Sequence, residues 1–172
     1  MRAWTLFRTL ALVATCFATA PAWADDLPEV EHQPSPCIVP DEPFRLCAKV
    51  SDDVGVGKAR IYFRRSGETY YAFVDMGFDG LSYCATLPGP RGGRVRLVEY
   101  YVQAIDSAYQ AVRSSTFQLQ VKPPAECEFA PVEKDAARRA RLVVYATHAK
   151  QGKKPPADFH VAGVTFVPVA GK

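Results

Sequence analysis

Residues 98–106 read "VEYYVQAID", and the order of side chains in that stretch decides the fold. Successive side chains of a β-strand point to opposite faces. Tyr100, Val102 and Ala104 therefore share one face, while Tyr101, Gln103 and Ile105 share the other. The first face is apolar and suits a core; the second mixes aromatic, amide and aliphatic groups. Asp106 closes the run as a turn residue that can bond its own backbone. The stretch reads as a half-buried strand.

The same texture extends outward on both sides. "FRLCAKV" (44–50) alternates apolar and polar side chains and is followed by the turn "SDDVGVG". "KARIYFRR", "TYYAFVDM", "LSYCATL", "RVRLVEYYVQAID" and "STFQLQVK" follow, separated by "SGE", "GFDG", "PGPRGG" and "SAYQAVR". Period-two runs bounded at regular spacing by Gly, Pro, Asp and Ser predict an all-β antiparallel sandwich of about seven strands. No internal repeat interrupts them.

Three of these stretches, "VSDDVGVGKARIYFRR", "YCATLPGP" and "VEYYVQAID", together resemble bacterial immunoglobulin-like and fibronectin-III-like domains. The resemblance covers about residues 36–122, specifies a fold, and says little about function, because this architecture hosts many roles. The strand-C tryptophan of antibody domains is missing, and Tyr62 or Phe63 would take its place. In such a fold Tyr100 is the candidate for a tyrosine corner, its hydroxyl bonded to nearby backbone.

The resemblance also places the cysteines. Cys47 on the second strand and Cys84 on the fifth would both point outward on antiparallel neighbours, with Leu81, Tyr83, Ala85 and Leu87 pointing in. Cys37 would end the first strand and Cys127 follow the last, at one pole. Cys47 with Cys84 and Cys37 with Cys127 are the preferred bridges, although four cysteines allow three connectivities. The strongest rival joins Cys37 to Cys47 across "VPDEPF".

The N-terminus, "MRAWTLFRTLALVATCFATAPAWADD", sets Arg2 and Arg8 around an apolar run that ends in "AWA" at 22–24. This is the layout of a signal peptide over residues 1–24, cleaved after Ala24. The run is too short to prefer a membrane span, and the lipobox reading of Cys16 fits poorly because of Thr15. Of the 21 Lys and Arg, two leave with this segment, so 19 remain against 18 acidic residues. A nearly neutral chain lacks the footprint of a general nucleic-acid binder. An even number of cysteines in an exported chain points to disulfides formed in the periplasm or outside the cell; their spacing lacks the C-x-x-C of zinc sites.

The organisation expected is therefore a signal peptide (1–24), an N-terminal extension (25–35), a sandwich (36–127) and a basic C-terminal segment (128–172). In the last, "PVEKDAARRAR" carries Pro131 and acidic residues early and arginines late, which suits a short helix. "LVVYAT" and "GVTFVPV" read as a β-hairpin around the loop "HAKQGKKPPADFH". Such a hairpin is barely stable alone and should dock, find a partner or stay loose.

Three constellations could carry chemistry. Asp52, Asp53, Asp75, Asp79 and Asp106 fall in turns expected at one pole, where carboxylates could hold calcium; aspartate is also simply a good turn residue. No other cofactor is indicated. Arg64, Arg65, Arg91 and Arg94 fall at the opposite pole beside Asp41 and Glu42, as an anion reader or a solvated rim. The outward side of strands C, F and G would present Arg60, Tyr62, Tyr101, Gln103, Gln118 and Gln120, an adhesive surface for protein or glycan unless the C-terminal segment covers it. Histidines are few (His32, His148, His160), and no nucleophile or nucleotide motif accompanies them. The sequence thus points to an exported, non-catalytic binding module for another cell-envelope protein. A glycan- or peptidoglycan-binding module is the alternative, and β-augmentation through an edge strand a third.

Overall fold

The structure, a computed structural model, describes residues 25–128, 143–146, 158–160 and 165–168. Its strands are β1 (Glu29–Glu31), β2 (Cys37–Ile38), β3 (Phe44–Ser51), β4 (Val56–Arg65), β5 (Ala72–Asp75), β6 (Gly77–Phe78), β7 (Tyr83–Leu87), β8 (Leu97–Asp106), β9 (Ala111–Arg113), β10 (Phe117–Val121), β11 (Val143–Ala146) and β12 (Thr165–Pro168). One sheet has the order β1-β3-β7-β6, the other β12-β11-β5-β4-β8-β10-β2, with β9 also on β8. The chain is therefore all-β, with two sheets arranged as a sandwich. Among the described residues the helical content is one 3-10 turn, Pro124–Glu126. The short helix expected around 131–141 lies outside the described residues.

β4 and β8, the two longest strands, form the spine. Their antiparallel register opposes Phe63 to Tyr100, Ile61 to Val102 and Ala59 to Ala104. All six are buried, while the residues between them on β8 are only partly covered. Phe44, Leu46 and Ala48 of β3, with Ala85 and Leu87 of β7, complete the core from the other sheet. Fully burying a Val, Ile or Phe side chain contributes about 1.5–3 kcal/mol, so this alternation largely drives assembly.

Two disulfides staple the sandwich. Cys47 and Cys84 are direct partners across β3 and β7, with Cα atoms 4.1 Å apart. Cys37 and Cys127 close a separation of 90 residues, a loop of the size for which chain entropy alone gives roughly 4–5 kcal/mol. Cys37 opens β2 rather than ending a first strand, because β1 lies earlier, inside the expected extension, and pairs with β3. Cys84 is buried although it bonds to exposed Cys47 on the outer side. The Asp79 turn roofs it, with Asp79 Oδ2 3.3 Å from its sulfur. Leu81 belongs to that turn rather than to a strand and is 88% exposed; its amide and that of Ser82 donate to Asp79 Oδ1.

Tyr100 is buried as expected, but its hydroxyl meets a side chain from the N-terminal segment instead of nearby backbone. Its oxygen lies 2.6 Å from His32 Nε2, while His32 Nδ1 lies 2.7 Å from the Cys47 carbonyl oxygen. A carbonyl can only accept, so Nδ1 carries the hydrogen, and Tyr100 donates to Nε2 of the neutral ring. Burial pushes the His32 imidazole below its ordinary 6.5.

The C-terminal strands do not form a hairpin. β11 and β12 pair in parallel, which requires a crossover between them, and β11 adds antiparallel to the β5 edge. Within the crossover, Phe159 is 1% exposed and packs edge-on against Phe63 at 5.1 Å. Backbone bonds from Arg91 N to Asp158 O and from His160 N to Gly89 O hold it like a strap.

Replacing Phe159 with Ala should release this strap while the sandwich stays folded. Hydrogen exchange at the Arg91 and His160 amides is expected to quicken on the order of a hundredfold, matching a loss of about 3 kcal/mol, with Tyr100 unchanged.

The lowered His32 pKa also sets a pH dependence. The unfolded ring binds protons more readily, so stability falls as pH drops below 6.5 and levels off below the folded-state pKa. Urea titrations from pH 8 to 5 should show this loss, and His32→Gln should flatten it.

Candidate interaction face

The inward face of the β4–β8 spine is used up by the core, so its outward face is where a surface can be built. Tyr62 is opposite Tyr101 and Arg60 opposite Gln103, Phe73 of β5 opposite Tyr62, and Arg113 of β9 opposite Gln103. Side chains on neighbouring strands stand close enough to interact, and here they form a continuous row. Arg113 lies 3.8 Å over the Tyr101 ring. Tyr101 stacks on Tyr62 at 4.8 Å and 7°, Tyr62 tilts against Phe73 at 5.1 Å, and Arg60 covers Phe73 at 4.5 Å. Tyr71 meets Tyr101 edge-on at 5.0 Å and lies beneath Arg64.

Ion pairs fix the cations. Arg60 donates to Asp75 at 2.9 Å and Arg64 pairs with Glu99 at 2.7 Å. The Ser66 hydroxyl and the Arg64 guanidinium hold Glu99 below the usual carboxylate range. Burial pushes the Tyr101 hydroxyl upward. Arg113 instead donates to the Thr116 hydroxyl, and among the described residues it has no acidic partner. Each cation over an aromatic ring adds roughly 0.5–1 kcal/mol at an exposed site.

Four of the six residues expected on this face, Arg60, Tyr62, Tyr101 and Gln103, come together. Gln118 and Gln120 are exposed on β10, opposite Glu99 and Leu97, beside the row rather than in it. Tyr71, Phe73, Arg64 and Arg113 are the members that the sequence reading left out. The alternation of "TYYAFVDM" and the outward position of Arg113 in "AVR" were the signals for them. The C-terminal strand β11 extends this sheet at β5.

At the arginine pole the chain neutralises Arg65 from within. Arg65 pairs with Glu68 and, at 3.2 Å, with Asp158, and Arg91 Nε reaches the Phe159 carbonyl. His160 contacts Asp41 at 2.5 Å, and Asp41 is held below the usual carboxylate range by the Gly92 amide and by His160. Arg64 belongs to the aromatic face instead, and Arg94 is exposed.

The five aspartates separate. Asp75 pairs with Arg60 and Asp79 with Arg45, which removes both from any shared site. Asp52 and Asp53 remain near one another and are joined by Asp25. Asp106, at the same end of β8, is 2% exposed.

The Tyr62–Tyr101 stack should be energetically coupled. A double-mutant cycle with Tyr62→Ala and Tyr101→Ala, read by urea unfolding, is expected to give about 0.5–1.5 kcal/mol.

No protein-family model and no curated protein matches this sequence. Among solved structures, the crystal structure of an engineered protein is similar at a TM-score of 0.44 and 16% identity, over 55% of this chain and 20% of that one. The chain thus spans about a fifth of the length of that engineered protein.

Proposed function

We propose that this chain is an exported, non-catalytic immunoglobulin-like module that binds another cell-envelope protein through the outward face of β5, β4, β8 and β9. The observation that carries the reading is the row Arg113, Tyr101, Tyr62 and Arg60, backed by Phe73, which is itself only 5% exposed. Tyrosine and arginine dominate the energetics of protein interfaces, and a row already ordered loses little entropy on binding.

Two further features support the reading. The orders β1-β3-β7-β6 and β5-β4-β8-β10 fit the ABED and C′CFG sheets of an immunoglobulin-like sandwich. The two disulfides fit an oxidising compartment, in keeping with a cleaved signal peptide and a periplasmic or secreted location. Among the described residues no helix is long and apolar enough to cross a membrane.

A protein partner is favoured over a glycan for a geometric reason. Sugars stack on bare ring faces, whereas Tyr62 and Tyr101 turn their faces to each other and Tyr101 to Arg113 as well. Hydroxyls, ring edges and guanidinium edges remain for hydrogen bonding, which suits a polypeptide surface. The contact would not be a strand addition at β5, because β11 already occupies that edge.

Affinity purification of the tagged protein from its own envelope tests this. One enriched protein, lost in a Tyr101→Ala/Arg113→Ala variant that still folds, is the expected result. Cell-wall material in its place would favour the glycan alternative, and capture unaffected by the variant would move the contact elsewhere.

A further inference from the structure

The two disulfides are unequally protected. Cys37 and Cys127 are both buried, in a small apolar cluster with Val39. In the other bridge Cys84 is buried but Cys47 is exposed. Exposed bridges are the ones open to exchange with thiols, because a thiolate must reach one of the two sulfurs.

The sheet decides which sulfur can be reached. Displacement at a disulfide runs in line, so a thiolate approaches either sulfur from the side away from its bonded partner. In the order β1-β3-β7-β6 these approaches lie on the β1 flank for Cys47 and on the β6 flank for Cys84. Behind Cys84 stands β6, with Gly77 directly opposite, and the Asp79 turn beside it. Behind Cys47 no strand is paired among the described residues, because β1 matches β3 only at Lys49, Val50 and Ser51. His32 follows β1, but it runs to the Cys47 carbonyl and the buried Tyr100 hydroxyl, whereas the Cys47 side chain stands on the outer face.

That outer face also supplies charge. Arg45 and Lys49 lie two residues to either side of Cys47 and share its exposed side of β3. Cations beside a sulfur attract thiolates and stabilise them. Each is held by one carboxylate, Arg45 by Asp79 at 3.0 Å and Lys49 by Glu31 at 3.2 Å. Asp79 Oδ2 also lies 3.3 Å from the Cys84 sulfur, which in the bridge has no hydrogen to donate. The Ser82 and Leu81 amides hold this carboxyl below the usual carboxylate range. An acceptor therefore waits for the Cys84 S–H that only reduction would create.

We propose that Cys47–Cys84 is a thiol–disulfide exchange site, attacked at Cys47 by a dithiol, while Cys37–Cys127 remains a permanent staple. One thiolate of the dithiol bonds to Cys47 Sγ as the bond to Cys84 breaks. The electron pair leaves on Cys84, which takes a proton from water and donates the resulting S–H to Asp79. The dithiol's second thiolate then bonds to its own first sulfur and displaces Cys47, which is protonated in turn. Two electrons thus pass to the protein, and the dithiol ends as a disulfide. The pairing from Phe44 opposite Leu87 to Ala48 opposite Tyr83 holds β3 to β7 without the bridge. The site lies on the sheet away from the aromatic face and stands independently of that reading.

Treatment of the purified, folded protein with dithiothreitol, followed by alkylation and peptide mass mapping, tests the proposal. Cys47 and Cys84 are expected to be labelled at least about tenfold faster than Cys37 and Cys127, with the circular dichroism of the sandwich unchanged. With glutathione, a monothiol, the first trapped adduct should sit on Cys47. Equal rates at the two bridges, which opening through global unfolding would give, would overturn the proposal. So would the absence of labelling at Cys47 and Cys84, or a first glutathione adduct on Cys84.

Discussion

The long antiparallel pairing of β4 with β8 is the constraint on which the rest of the structure depends. Its register runs from Val56 opposite Asp106 to Arg65 opposite Val98. Strand side chains alternate, and a slip of one residue would exchange the two faces entirely. With this register, Ile61, Phe63, Tyr100 and Val102 enter the core together, and Tyr62 and Tyr101 come out together. The hydrophobic effect thereby orders the outer surface as well. The stacked tyrosines are aligned because their neighbours are buried.

Several separate devices hold the edges and ends of this spine. Cys37–Cys127 and Cys47–Cys84 act through covalent closure. The His32 ring joins the N-terminal segment to both sheets, touching the Cys47 carbonyl of β3 and the Tyr100 hydroxyl of β8. Phe159 fills the space beside Phe63 at the other end. Each brings a sequence-distant segment onto the sandwich through one well-buried or directional contact. The N-terminal segment and the 158–160 strap are thus parts of the sandwich.

The surface that results has two poles and a face of different electrostatic character. At one pole Arg65 is matched by Glu68 and Asp158, and Asp41 by His160. At the other, Asp25, Asp52 and Asp53 come together. Between them the aromatic row carries cations over ring faces, which lets arginines sit on a partly buried surface without leaving rings exposed. This division follows from which strand ends and turns each pole collects.

The alternation of "VEYYVQAID" and its neighbours was enough to indicate an all-β sandwich, the inward set Tyr100, Val102 and Ala104 and the outward position of Tyr62 and Tyr101, because period two is a local property of the chain; the two disulfides, the preferred of three possible connectivities, were placed through the resemblance to an immunoglobulin-like fold. What depended on distant segments was not legible. The partner of the Tyr100 hydroxyl comes from His32, the roof over Cys84 from the Asp79 turn, and the plug beside Phe63 from Phe159, all set by long-range packing. Two β-like runs with a loop between them, "LVVYAT" and "GVTFVPV", look the same in sequence whether they pair antiparallel or parallel. In the structure β11 takes the β5 edge, β12 pairs with it in parallel, and Phe159 packs against Phe63. Likewise five aspartates in turns were visible as residues, but which of them face a basic partner and which face each other is a matter of where turns meet in space.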